Sequence, residues 1–261
     1  MSSTKLPTRT LAGITVLDTP LVRAAQAYAR THADDMTYNH VMRSWLFGVC
    51  LYTKLHTAGA MPEIDLEAHA ISAILHDLGW DHTGELVSSD KCFEVDGAIA
   101  AREWLHSHSS SSSPSSDLGE KGEGKDKEWD DHRIQLVWDA IALHTSPHIS
   151  RFKEPVVQIC GLGIICDFHG PRSDPSGLLT WEEFEAVKRE FPRLDLAKGL
   201  REKIVHFCRT KPETTYGEFM FLDPDIVCER RGMGLIESRF VADGLWEEVC
   251  GGVCGEGEAD Y

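Results

Sequence analysis

The chain has 261 residues and a net charge of −16, from 42 acidic against 26 basic side chains. Nucleic-acid surfaces need clustered lysine and arginine to displace counterions, so no nucleic-acid partner is expected. Hydrophobic content is 42%, enough for one sizeable core, and no long uninterrupted apolar run suggests a membrane span.

Residues 1–20 read as an irregular N-terminal arm, interrupted by Pro7, Gly13 and Pro20. Met1 to Thr10 lacks the basic-then-apolar pattern of a secretory leader, so a cytoplasmic or alternatively nuclear protein is expected. A first helix is predicted over about 21–33, carried by Leu21, Ala25, Tyr28 and Ala29. A second opens near Asn39, a good N-cap, and places Val41, Trp45, Val49 and Tyr52 on one face. His40 falls in its first turn, with Arg43 three residues on, beside it on the helix surface. Gly59 and Pro62 mark a loop, and the next helix, from about 64, carries the stripe Ile71, Ile74, Leu75 and Leu78. It runs straight into His76-Asp77 and stops at Gly79. Adjacent helical residues point about 100° apart, so this imidazole and carboxylate flank one edge of the stripe and can reach a single point. Such a pair suits a divalent metal. Taken alone, such a pair is more often a helix end whose polar residues are merely solvated.

After Trp80 a polar segment leads to Phe93-Glu94-Val95-Asp96-Gly97 and a helix to about 105. Ser107 to Ser116 is nearly all serine, and Gly119 to Lys127 is glycine, lysine and acid. A stretch with nothing to bury is predicted to be a disordered insertion, over about 106–127, within one domain spanning 21–240. The helix Arg133 to Leu143 follows, with His144 three residues after Ile141 and so turned inward, where it can fill the core or face a cavity. A helix over about 155–168 is apolar on nearly every side yet ends in Asp167, a carboxylate whose burial demands a counter-charge or a metal. Thr180 and Glu183 form a capping box with a Leu179–Phe184 staple. Pro192 ends that helix, and Leu196, Leu200, Ile204 and Phe207 mark another over about 195–209. Residues 211–221 and a helix-like 226–239 are expected to cross the bundle or line its mouth, ahead of a Gly/acid-rich tail, 241–261. Eight cysteines without regular spacing read as free thiols. No stretch alternates strongly enough for a sheet, so the fold class is all-α.

His40, His76, Asp77 and Asp167 thus come from three apolar helices in the order His … His-Asp … Asp. In this the sequence resembles the HD-domain superfamily of metal-dependent enzymes. It looks most like the fungal cyanamide hydratase branch, through Asn39-His40, Leu75-His76-Asp77, Phe93-Glu94 with Gly97, Ala142-Leu143-His144-Thr145, the apolar run into Asp167, and Phe191-Pro192-Arg193-Leu194. These landmarks span roughly residues 21–221. The resemblance implies a helical bundle, a zinc ion with iron as the alternative, and hydration of a nitrile-like carbon, cyanamide to urea. It makes His40, His76, Asp77 and Asp167 the expected metal ligands. The chain departs from that branch at Trp80-Asp81-His82, at Asp96 and Ala98 beside Gly97, and in the serine-rich insertion, changes that bear on the substrate rather than on the metal.

Two His and two Asp leave open positions on a zinc-like ion, the mark of a catalytic site. Asp77 is the candidate to take a proton from water, and His144 and Glu94 are candidates to orient substrate or relay protons. Asn39, Arg43, Lys91 and Thr145 are the expected substrate contacts. A small-molecule substrate is the expected partner, with a homo-oligomer left open. The competing classes are an HD phosphohydrolase acting on a nucleotide or other phosphate ester, and a non-catalytic scaffold. Few cations lie near the motifs and no Gly-rich phosphate loop is present, which favours a small neutral substrate. Because the insertion buries nothing, deleting about residues 108–127 should shift the melting temperature by less than about 5 °C.

Overall fold

The computed structural model describes residues 6–109 and 129–215. Its first elements are two strands, β1 (Thr8–Leu11) and β2 (Ile14–Leu17), paired antiparallel with Arg9 opposite Val16. The two loop residues, Ala12 and Gly13, both have positive φ (48° and 81°), as a two-residue turn matched to strand twist requires. This corrects the expected irregular arm and the absence of a sheet. Leu11, Ile14 and Val16 turn towards the helices, and Val16 is buried in the main core.

The remainder is helical. α1 (Pro20–His32) is capped by Thr19, whose hydroxyl accepts from Val22 N, and has Pro20 in its first turn. α2 (Asp35–Thr57) is capped by Asp34, which accepts from Thr37 N at 2.8 Å. It therefore starts four residues before Asn39, and His40 sits in its second turn. A hydrogen-bonded aspartate takes precedence over an asparagine with no amide to cap. α3 (Leu66–Leu75) starts at the cap Asp65. It ends earlier than its apolar stripe suggests: His76 is its C-cap, Asp77 has left the helix, and Leu78–Trp80 form one 3₁₀ turn. α4 (Phe93–Ser109), α5 (Asp131–Ala142), the short α6 (Pro147–Ser150) and α7 (Pro155–His169) follow. α8 (Trp181–Glu190) carries the expected capping box, and α9 (Leu196–Thr210) and the short α10 (Pro212–Thr215) complete the described chain. Most of the expected insertion, the helix-like 226–239 and the tail 241–261 lie outside the described residues. The insertion's first residues belong to α4.

α2 runs through the centre, with Trp45, Leu46, Phe47 and Leu51 fully buried. Its approach to α7 is set by glycine. A Cβ on Gly163 would lie 2.5 Å from Ser44 O and 2.8 Å from Gly48 N. Nothing larger than hydrogen fits, so the two backbones meet directly. One turn back along α2 from Ser44 is His40, and one turn on along α7 from Gly163 is Asp167. The packing of two glycines therefore brings the two candidate ligands face to face. Cys50, Cys160, Cys166 and Cys208 are buried, and burial pushes the thiols of Cys50, Cys160 and Cys166 up to about 12. No helix among the described residues is long and apolar enough to cross a membrane.

His69, on α3, is fully buried against Gly48, and neither ring nitrogen has a hydrogen-bond partner. Burial pushes its pKa down to about 4, partly opposed by Asp65. The folded value is thus below the unfolded one, and the unfolded chain takes up this proton first as pH falls. Stability is lost between about pH 6.5 and pH 4. His69→Leu should remove this share of the acid loss, about 2 kcal/mol at pH 5, as read from urea unfolding at pH 7 and pH 5.

Candidate metal centre

Three imidazoles and one carboxylate meet in the interior, and each ring is fixed from behind. His40 Nδ1 lies 2.6 Å from Asp167 Oδ2. His76 Nδ1 donates to Ala73 O at 2.8 Å, and His144 Nδ1 donates to Ile141 O at 2.6 Å. The last two bonds share one design. Each histidine follows a helix end and caps the carbonyl three residues earlier, one of those a helix terminus leaves unsatisfied. With hydrogen on Nδ1, each ring in its neutral form presents a lone pair on Nε2.

These lone pairs converge. His40 Nε2 and His76 Nε2 are 3.2 Å apart, and Asp77 Oδ2 is 3.5 Å from the first and 3.3 Å from the second. His144 Nε2 lies 3.7 Å from Asp77 Oδ1. Neither Asp77 oxygen has a hydrogen-bond donor, and all four side chains are buried. Burial favours the neutral acid, but the surrounding imidazoles, His76 foremost, hold the Asp77 carboxyl at about 2. Burial favours neutral His76, but Asp77 raises its pKa. His144 is pushed down to about 4, by burial and then by His76. Acceptors facing acceptors in a dry interior repel one another unless a cation stands between them. His40, His76 and Asp77 each offer a ligand atom within 4.8 Å of the others, a group that could hold a metal ion. Their nitrogen and carboxylate donors fit a divalent transition metal.

Asp167 stands one layer back. Arg43 Nε donates to its Oδ1 at 2.6 Å and Arg43 Nη2 to its Oδ2 at 2.8 Å, and Oδ2 also faces His40 Nδ1. Burial opposes ionisation, yet Arg43 and His40 hold this carboxyl well below the usual range. The expected counter-charge is therefore arginine. Both oxygens are turned to Arg43 and His40, and Asp167 is not in the ligand-spaced group. A carboxylate behind a metal-facing histidine fixes its tautomer and raises its basicity.

Arg43 was expected to contact substrate. It is fully buried instead, and its remaining nitrogen donates to Phe191 O and Pro192 O, both at 3.0 Å. Asn39 Nδ2 reaches the same Pro192 O at 2.9 Å, so both expected contacts act as ties to the turn after α8. Lys91 is at the surface, 2.7 Å from Asp90, and does not enter the centre. His82 is exposed and donates to Thr31 O. Thr145 Oγ1 donates to Glu94 Oε1 at 2.8 Å, which places the buried Glu94 beside the His144 turn. A Cβ on Gly79 would lie 1.9 Å from Phe93 O, and one on Gly97 3.1 Å from His76 O. These two glycines let the start of α4 close on the His76-Asp77 turn.

Sequence reasoning missed the aromatic walls. Trp80 lies over the His40 ring at 6.3 Å and 20°, Phe168 is 4.8 Å from that ring, and Phe93 meets His144 at 5.6 Å. Their signal was present in Leu78-Gly79-Trp80 and Phe93-Glu94, but ring placement depends on how the turn folds back. No protein-family model matches the chain, and no curated protein sequence matches it.

Arg43→Met would leave Asp167 buried without its cation, and should lower stability by about 3–5 kcal/mol in urea unfolding. Asn39→Ala, which removes a partly exposed hydrogen bond, should cost about 1 kcal/mol or less.

Proposed function

We propose that the protein is a metal-dependent hydratase or hydrolase that adds water to a small, uncharged carbon–nitrogen compound, as in cyanamide to urea. The observation that carries the reading is the convergence of His40 Nε2, His76 Nε2 and the Asp77 carboxylate with no donor among them. These three would hold the ion, zinc first and iron as the alternative, with Asp167 and the Ala73 carbonyl holding the imidazoles to it. Bound there, a divalent cation lowers the pKa of water towards about 7 and polarises the substrate.

The remaining chemistry belongs to the chain. Adding water across a carbon–nitrogen triple bond delivers oxygen to carbon and a proton to nitrogen. Asp77 Oδ1, which faces His144, can take the proton that the water loses. Nε2 of neutral His144, whose lone pair faces that oxygen, can accept this proton from Asp77 and pass it on to nitrogen. Glu94, tied to Thr145, orients this turn. Trp80, Phe93 and Phe168 exclude bulk water, which strengthens each interaction inside. A neutral substrate accords with the surrounding cations: Arg43 is committed to Asp167 and two carbonyls, and Lys91 to the surface. The resemblance to cyanamide hydratases supports the same choice.

Purified protein should carry about one zinc or iron per chain by elemental analysis, and His76→Ala should lose it. Urea release from cyanamide should be abolished in Asp77→Asn. Phosphate release from nucleoside monophosphates without any urea would transfer the protein to the phosphohydrolase class.

A further inference from the structure

α9 lies over the metal centre rather than in the main core. Its inward stripe, Leu200, Ile204, Phe207 and Cys208, packs with Trp80 and Phe93 in a separate cluster. Trp80 touches the His40 ring on the side of the centre. Phe93 meets His144, and Phe207 of α9 stacks on Phe93 at 5.7 Å and 8°. Trp80 and Phe207 also line an outer cleft of about 440 Å³, together with His82, Val87 and Lys203. Trp80 thus touches both the cleft and the centre, and Phe207 is one ring removed from His144.

The attachment of α9 is uneven. It is entered through Leu194 and Asp195, with φ of 48° and 58°. Two successive non-glycine residues in the left-handed region hold a conformation that L side chains disfavour. Asp195 sits at the N-cap position without a capping hydrogen bond. At the far end, Lys211 Nζ meets Asp96 Oδ2 at 2.7 Å, with both side chains nearly fully buried. Midway, Lys203 Nζ reaches Asp34 at 3.0 Å and Trp80 O at 3.4 Å. Among the described residues, α9 is held by an aromatic face, by Gly199 against Met36 of α2 and by the charged ties of Lys203 and Lys211, behind a strained entry.

We propose that α9 is a hinged cover of the metal centre, opening at Leu194-Asp195 and latched by Lys211 on Asp96. Trp80 and Phe207 then decide what passes from the cleft. The inference rests on the metal-centre reading and deepens it by assigning the element that selects its substrate. A charged molecule crossing an apolar ring layer gives up its hydration, and a small uncharged one loses little, so the cover admits small neutral substrates.

Zinc removal from the loaded protein tests this without using activity. With the uncharged chelator 1,10-phenanthroline, wild-type release should plateau as chelator rises, because opening limits it. EDTA, an anion, should need higher concentrations to approach the same plateau. Phe207→Ala, and the double variant D96N/K211M, which removes both buried charges together, should raise the plateau rate about tenfold or more. Zinc stoichiometry and far-UV circular dichroism should be unchanged. Equal concentration dependence for the two chelators, or unaltered plateau rates in both variants, would overturn the cover. So would a wild-type rate rising linearly with phenanthroline, whatever the variants do. A wild type that binds no zinc would overturn the metal centre itself, and the cover with it.

Discussion

A carboxylate with no access to water governs this molecule. Asp167 cannot stay ionised in the core unless a cation reaches it, and Arg43, across the α2–α7 contact, supplies one through two hydrogen bonds. The same carboxylate fixes the proton on His40 Nδ1, which turns the Nε2 lone pair inward. Arg43 then has one nitrogen left, and it captures the carbonyls of Phe191 and Pro192. One buried charge therefore sets the tautomer of His40, locks two helices together and anchors the turn from which α9 departs.

The centre repeats a second device. His76 and His144 both stand just past a helix end and both donate Nδ1–H to the carbonyl three residues back. Helix C-termini carry partial negative charge, so the ends of α3 and α5 add to the acceptor field around Asp77. Every fixed dipole and lone pair there favours a cation. Asp77 itself, free of the helix after His76, is the group with no donor, which is the property a metal ligand needs and a structural carboxylate avoids.

Beside the Arg43–Asp167 pair, the structure crowds these polar atoms with aromatic rings. Trp80, Phe93 and Phe168 crowd the imidazoles, and α9 adds Phe207 outside them. Such surroundings lower the local dielectric, which strengthens electrostatic interactions at the centre and penalises the entry of charge. Gly79 and Gly97 make the arrangement possible by letting backbones touch where a side chain would hold α4 away.

Much of the helical fold was readable from local chemistry. Apolar stripes, Thr180 with Glu183, Pro192 and the His76-Asp77 dipeptide all act within a few residues of themselves, and they marked helices and a metal-suited pair correctly in place. The hairpin escaped notice because its strands have four residues each and Ala12-Gly13 resembles an interruption as much as a turn. Tertiary structure decided the division of labour among polar residues. Asp77 and Asp167 are the same residue type at the ends of apolar stretches, and Arg43 and Asn39 looked like surface groups beside a ligand. Which carboxylate meets lone pairs and which meets a guanidinium depends on the approach of α2 to α7 at Gly48 and Gly163. Periodicity states which way a side chain points, but the counter-charge that reaches it belongs to a helix more than a hundred residues away.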